Sequence, residues 1–275
     1  MRRLELADGT PVPVIGQGTW HLGEDPARRR QEVAALQLGI EHGMALIDTA
    51  EMYAEGGAEE VVGEAIRNRR ERVFIVSKVY PHNASRAGVP QACERSLRRL
   101  GTDCIDLYLL HWRGLHPLAE TVEAFERLKA QGKIRRWGVS NFDVDDMQEL
   151  PAVEHCATNQ VLYNPAERGI EYDLLPWCQA RRMPVMAYCP LGEGGSLLRH
   201  PALLEVARRQ GASPAQVALA WELRQPGLIV IPKAANAEHL RANAAAAELR
   251  LSEEELAILD DAFPPPTRKQ PLNMV

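Results

Sequence analysis

Val73-Phe74-Ile75-Val76-Ser77-Lys78 is followed by Pro90-Gln91-Ala92-Cys93-Glu94-Arg95-Ser96-Leu97-Arg98-Arg99-Leu100, and then by Ile105-Asp106-Leu107-Tyr108-Leu109-Leu110-His111. The outer two segments are short apolar runs that end in one basic residue. Runs apolar on every position suit strands buried on both faces. The middle segment opens with Pro and stops before Gly101, the start and stop chemistry of a helix. Strand, helix and strand in this order imply parallel strands joined by a right-handed crossover.

The same alternation extends along the chain. Strand-like runs are Val12–Thr19, Ala45–Asp48, Val73–Lys78, Ile105–His111, Trp137–Ser140, Thr158–Gln160, Val185–Tyr188 and Leu228–Pro232. Between them, Arg28–His42 sets Val33, Leu36 and Ile40 at helical steps, and Thr121–Gln131 does so with Val122, Phe125 and Leu128. Ser213-Pro214 and Ser252-Glu253-Glu254-Glu255 read as capped helix starts. Eight units over 275 residues average about 34 residues each, the arithmetic of a (β/α)8 TIM barrel. An open doubly wound sheet would show G-x-G-x-x-G after its first strand. Gly16-Gln17-Gly18-Thr19-Trp20 lacks the third glycine. No Pro/Ser-rich linker divides the chain, so residues 1–275 are expected to form a single α/β domain. Asp8-Gly9 predicts an N-terminal β-hairpin that could close the barrel bottom. Pro264–Val275 reads as a short, Pro-rich tail.

Composition narrows the function classes. Hydrophobic residues make up 45%, charged residues 25%, and the net charge is −5. This is a globular composition with no basic footprint for nucleic acid. No apolar run approaches the roughly 20 residues of a membrane helix. Glu5 and Asp8 interrupt what a secretory signal would keep apolar. Cys93, Cys104, Cys156, Cys178 and Cys189 are odd in number and widely spaced, which argues against a disulfide framework. His111 and His116 do not share a helix face, so no metal site is expected. These features predict a cytoplasmic protein with no nucleic-acid or membrane partner; a monomer is expected.

In such a barrel the strands' C-terminal ends share the functional face. Asp48 ends the second run, Tyr53 follows it, Lys78 ends the third and His111 the fourth. A Lys capping an apolar strand needs a partner, and Asp48 on the adjacent strand can supply one. A phenol beside that ammonium is expected to titrate below its usual ~10 and to serve as an acid. His111 would hydrogen-bond the substrate oxygen.

The segments Asp48-Thr49-Ala50-Glu51-Met52-Tyr53, Ser77-Lys78, Leu110-His111-Trp112, Gly138-Val139-Ser140-Asn141-Phe142, Asn159-Gln160-Val161, Ala187-Tyr188-Cys189-Pro190-Leu191 and Ile231-Pro232-Lys233 resemble the motifs of the aldo-keto reductase family. They occur in the family's order from about Val14 to Asn243, and the pattern is most similar to bacterial aldehyde reductases of the methylglyoxal-reductase type. The resemblance implies a (β/α)8 barrel that binds NADP(H) across the strand ends and reduces small aldehydes or 2-oxoaldehydes. It implies a catalytic tetrad of Asp48, Tyr53, Lys78 and His111. Ser140, Asn141 and Gln160 then face the nicotinamide carboxamide, and Tyr188 stacks on the ring. Leu191, Gly192 and Ser196, in the loop that also holds Glu193, Gly194 and Gly195, approach the pyrophosphate. Lys233 and His239 are expected at the 2′-phosphate and Asn243 at the adenine. Ala234 and His239 replace the hydroxyl residue and arginine of many members, which weakens the expected preference for NADP over NAD. Trp20, Tyr80 and Trp112 could wall the substrate pocket, and the short tail, where other members carry long C-terminal loops that close over bulky substrates, implies a shallow, open site.

Two other readings compete. A regulatory, non-catalytic NADP-binding barrel subunit would not need the complete tetrad. An isomerase or lyase using Lys78 as a Schiff-base nucleophile leaves the NADP-like motifs without a purpose.

Overall fold

The computed structural model describes residues 1–193 and 195–275. Two short strands, β1 (Arg3–Glu5) and β2 (Pro11–Pro13), pair antiparallel with Leu4 opposite Val12. Gly9, at φ +81°, makes the turn, and Asp8 Oδ1 accepts from the Thr10 N–H at 3.0 Å. The hairpin therefore forms as expected, and it claims Val12. The run Val12–Thr19 is divided, and the first barrel strand is only β3 (Gln17–Gly18).

Seven more strands follow: β4 (Leu46–Asp48), β5 (Phe74–Val79), β6 (Leu107–Leu110), β7 (Trp137–Ser140), β8 (Cys156–Leu162), β9 (Val185–Tyr188) and β10 (Leu228–Val230). All pairings in this sheet are parallel, in sequence order from β3 to β10. A parallel bridge between Ile15 and Val230 joins the first strand segment to the last. The Gly16 N–H donates to Val230 O at 2.8 Å, and the Gly18 N–H donates to Pro232 O at 3.1 Å. Gly16 and Gly18 are seam glycines. A Cβ on Gly16 would lie 2.6 Å from Leu46 Cδ2, and one on Gly18 would lie 2.7 Å from Ile231 O. The Gly-x-Gly pair lets backbones meet at the seam and forms no dinucleotide turn.

The helices wrap the outside: α1 (Arg29–Glu41), α2 (Gly57–Ala65), α3 (Gly88–Leu100), α4 (Leu118–Ala130), α5 (Val144–Glu149), α6 (Leu174–Ala180), α7 (Pro201–Gln210), α8 (Pro214–Glu222), α9 (Ala237–Ala245) and α10 (Glu253–Ala262). Ser213 and Ser252 close capping boxes on α8 and α10, as their sequences predict. The result is a single-domain (β/α)8 barrel.

Strand alternation sorts the apolar residues into two cores. Leu46, Val76, Leu107, Leu109, Met186 and Ile229 point inward and form a compact cluster with Leu6 and Val12 of the hairpin. Ile75, Tyr108 and Leu110 point outward into the strand–helix layer. Both faces of β5 and β6 are buried, which is why their sequences read as continuous apolar runs. The hairpin plugs the bottom, so the one polar end of the barrel interior is the top, where Lys78 ends an inward row above Val76.

Leu6 is 4% exposed in the plug. Leu6→Ala is expected to cost about 2–5 kcal/mol in urea denaturation, the range for a large-to-small core change. Leu115→Ala, at a fully exposed loop position, should stay within about 0.5 kcal/mol of the parent. Equal small losses at both sites would show that the hairpin does not seal the barrel.

Candidate active site

Four side chains converge above the inner core. Asp48 ends β4 and is 2% exposed, Lys78 on β5 is 0% exposed, and His111 directly follows β6. The neighbouring register of β4, β5 and β6 brings them together. Tyr53 arrives from the loop after β4.

An ammonium has three donors and no acceptor. Lys78 Nζ donates to Asp48 Oδ2 at 2.8 Å, to Thr49 O at 3.0 Å and to Tyr53 Oη at 3.1 Å. All three donors are satisfied without water. Since Lys78 can only donate, the Tyr53 oxygen accepts there and its own proton is left to point elsewhere. The His111 ring stands edge-on at 5.6 Å between centroids, and both residues line the same cavity.

Burial sets the charge states. It pushes Asp48 up and Lys78 down, and each partner's charge pulls the other back. Burial, and then the Lys78 charge, holds His111 well below the ordinary histidine range, so its ring is neutral at neutral pH. Tyr53 departs from the sequence expectation. Burial, then the Asp48 carboxylate, pushes it well above the ordinary phenol range. Lys78 supports a phenolate through a hydrogen bond, but desolvation outweighs that support. Tyr53 is therefore a fully protonated donor.

A polar seam continues across β7, β8 and β9. Ser140 Oγ donates to Gln160 O at 2.8 Å. Asn141, at φ +60°, donates from Nδ2 to His111 O at 3.1 Å and accepts the Tyr188 hydroxyl on Oδ1 at 2.8 Å. Gln160 Nε2 donates to Asp48 Oδ1 at 2.7 Å. The residues expected at the nicotinamide thus also hold the tetrad: Gln160 occupies the second Asp48 oxygen, and Asn141 tethers the His111 backbone and fixes the Tyr188 ring.

A cavity of ≈ 690 Å³ opens above these groups, within the usual range for small-molecule sites. Ser140, Asn141, Gln160, Tyr188, Leu191, Gly192 and Lys233 line it, as do Trp20 and Trp112. Tyr80 stands behind Trp112, edge-on at 5.1 Å, outside the lining. Ser196 follows the glycine loop and is also outside the lining; Gly194 lies outside the described residues. His239 is exposed in the first turn of α9, and Asn243 is buried two turns along it.

The family model for the aldo/keto reductases matches residues 14–263. The chain belongs to the aldo/keto reductase family. It is 56% identical over 281 residues to methylglyoxal reductase YeaE of Escherichia coli, covering 100% of this chain and 99% of that protein. It is 34% identical over 262 residues to a Bacillus subtilis glyoxal reductase, covering 94% and 91% of the two. A crystal structure of an aldo/keto reductase from Klebsiella pneumoniae, in complex with NADP and acetate, matches with TM-score 0.97 at 58% identity over 99% of each chain.

Some residues of this aldo/keto reductase reach the cavity unannounced by sequence. Met274 and Val275 line it, because the tail bends back over the barrel mouth. Asn273 Nδ2 donates to Glu167 Oε2 at 2.8 Å, and Lys269 Nζ lies 3.1 Å from Asp145 Oδ2 and 3.5 Å from Asp173 Oδ2. The site is therefore walled on the tail side, against the expectation of a shallow, open cleft. His21 also lines the cavity, at φ +67° and stacked on Trp20 at 4.4 Å. Irregular segments carry no period, so only folding reveals these contacts.

Lys78→Met tests the ion pair. It is expected to abolish turnover and to leave Asp48 buried without a counter-charge, at a cost of about 3–5 kcal/mol near pH 8. The unpaired carboxyl would titrate further above its unfolded value. The neutral form, favoured below the unfolded pKa, would restore stability, and the loss would grow as pH rises through the folded pKa. Urea denaturation at pH 5.5 and pH 8 should show the smaller deficit at pH 5.5. Equal deficits would mean that Asp48 does not carry the uncompensated charge.

Proposed function

We propose that the protein is an NADPH-dependent reductase of small aldehydes and 2-oxoaldehydes such as methylglyoxal, with Tyr53 as general acid. The observation that carries this reading is the saturation of Lys78 Nζ by Asp48, Thr49 O and Tyr53, which leaves the Tyr53 proton free to serve a cavity. The names of the Escherichia coli and Bacillus subtilis relatives support the substrate class.

The residues present fit the cofactor. The Tyr188 ring, held by its hydroxyl, offers a fixed stacking surface, and Ser140, Asn141 and Gln160 surround it with amide and hydroxyl groups. Leu191 and Gly192 line the cavity where the pyrophosphate would lie, and Ser196, outside the lining, would have to reach it from farther along the same loop. Lys233 supplies an exposed cation just ahead of α9, whose N-cap Asn236 accepts from Glu238 N–H at 2.7 Å. A cation and a helix N-terminus together suit the 2′-phosphate, with His239 at its rim and Asn243 toward the adenine. When bound, NADPH supplies the hydride to the carbonyl carbon.

The chain's own residues handle the oxygen. Tyr53 and neutral His111 hydrogen-bond it, and Tyr53 gives up its proton as the oxygen gains charge. Lys78 already contacts the resulting phenolate oxygen, so stabilisation needs no rearrangement. Asp48 keeps Lys78 oriented, and Gln160 keeps Asp48 oriented. Trp20 and Trp112, with Tyr80 behind, make an apolar wall around the carbonyl. We read the protein as a cytoplasmic monomer; its five free thiols suit a reducing compartment. Among the described residues no helix is long and apolar enough to cross a membrane.

Tyr53→Phe is expected to bind NADPH normally and to lower kcat on methylglyoxal by about 10²–10⁴-fold, the contribution of general acid catalysis. Near-normal turnover would remove Tyr53 from the mechanism. Lys233→Met should weaken NADPH and leave NADH unaffected in fluorescence titration, because only NADPH carries the 2′-phosphate. Equal weakening of both would place Lys233 elsewhere.

A further inference from the structure

Tyr53 lies between two buried carboxylates that the mechanism does not use. Glu51 is 7% exposed and Glu59 is 0% exposed at the side chain. An arginine of α3 binds each one. Arg95 Nη2 donates to Glu51 Oε2 at 3.1 Å, and Arg99 Nε donates to Glu59 Oε2 at 2.7 Å. The arginines are four residues apart and share a helix face.

The remaining carboxylate oxygens reach the strand that carries Lys78. Glu51 Oε1 accepts from the Tyr80 N–H at 2.8 Å and from Asn83 Nδ2 at 2.9 Å. Glu59 Oε1 accepts from Ser77 Oγ at 2.6 Å. Ser77 and Tyr80 flank Lys78. The Tyr53 loop is therefore tied to the Lys78 strand on both sides, through two carboxylates whose outer oxygens α3 holds.

Between the ties the backbone is strained. Ala54, Glu55 and Gly56 follow one another at φ +48°, +53° and +96°. A Cβ on Gly56 would overlap Arg99 Nε, so the guanidinium packs directly against the turn. Such conformations persist only where the surroundings over-determine them.

We propose that Arg95 and Arg99 form a clasp that sets the Tyr53–Lys78 contact and so controls the rate of proton transfer. They are positioning residues, and the proposal rests on the reading of Tyr53 as the acid. None of Glu51, Glu59, Arg95 and Arg99 lines the cavity. Cofactor and substrate contacts come largely from other strands, so binding should be insensitive to the clasp.

The test compares Arg95→Met, Arg99→Met, the double variant and the Arg→Lys variants with the parent enzyme. Readouts are kcat and KM for methylglyoxal, NADPH Kd by fluorescence, and Tm. Each Met variant should lose about tenfold in kcat and the double variant about a hundredfold, as small misplacements of a reacting group do. KM and NADPH Kd should stay within about twofold, and Lys should restore part of the rate, because it keeps a charged donor but not the guanidinium's shape. If the double variant does not fold, Glu59→Gln decides: it keeps an acceptor for Ser77, removes the charge facing Arg99, and should lower kcat about tenfold at unchanged NADPH Kd. The clasp alone is overturned by an active parent whose variants keep kcat within about twofold, or whose KM and Kd rise as kcat falls. Full turnover by Tyr53→Phe overturns the clasp together with the reading of Tyr53 as the acid, and no NADPH oxidation by the parent overturns the clasp and the reductase reading together.

Discussion

A fully buried ammonium must find three acceptors, and the top of this barrel is arranged around that requirement. Asp48, the Thr49 carbonyl and the Tyr53 hydroxyl are the three acceptors of Lys78. Two of them follow from strand register, since Asp48 pairs with Val76 two residues before Lys78. The third requires the loop after β4 to fold back over β5. Replacing such a pair by apolar residues of equal volume is often neutral or stabilising, so global stability is a poor reason for the pair. Its better justification is chemical. It sets one fully buried cation beneath a phenol that lines the cavity.

Backbone strain is found at both ends of the barrel, and part of it lies at the site. Among the described residues, the non-glycine positions with positive φ include His21, Ala54, Glu55, Asn141 and Cys189, in loops that follow barrel strands, whereas Asn68, Ala152 and Arg182 lie in the connections that lead from helices into strands. Left-handed backbone costs a non-glycine residue roughly 1–2 kcal/mol, and buried hydrogen bonds offset it. Asn141 shows how. Its side chain bonds the His111 carbonyl, Ser140 Oγ and the Tyr188 hydroxyl, so three strand ends hold its conformation. The rigid sheet below makes such local conformations affordable where they aim a side chain.

The barrel was legible in the sequence because strands buried on both faces and helices with capping residues leave separate local marks. Ser213 and Ser252 are caps on sequence grounds and in the fold. The convergence of Asp48, Lys78 and His111 was legible as polar residues at the ends of apolar runs, with Tyr53 in the loop after the first of them. Where the sequence reading fell short, a tertiary contact decided. Val12 left the first barrel strand because Leu4 pairs with it across the hairpin. Gln160 holds Asp48 across 112 residues, a contact with no local trace. Glu59 sits on a helix among other glutamates, and only its burial against Ser77 and Arg99 separates it from them. Met274 and Val275 belong to a segment without period, steered to the cavity by Lys269 and Asn273.

The titration of Tyr53 illustrates how burial and pairing compete. From sequence, the neighbouring ammonium should lower the phenol's pKa. In the fold, the same burial that makes Lys78 need Tyr53 also penalises the phenolate, and the Asp48 carboxylate adds to that penalty. A phenol held protonated is a worse acid in isolation but a reliable donor at any physiological pH. What must be favourable is the transfer, not the free phenolate. In the proposed reduction a carbonyl oxygen that becomes an alkoxide turns into a far stronger base than a phenolate, so the proton would move downhill without a lowered Tyr53 pKa. On the proposed mechanism Lys78 matters most after the proton has left, when its existing hydrogen bond would meet a full negative charge. Neutral His111 complements this arrangement, because a second cation beside Lys78 would cost desolvation energy and is suppressed by Lys78 itself. The site thus sets two neutral hydrogen-bonding groups toward the cavity and one paired cation behind them, an order that burial enforces and that suits the charge the proposed reduction would develop.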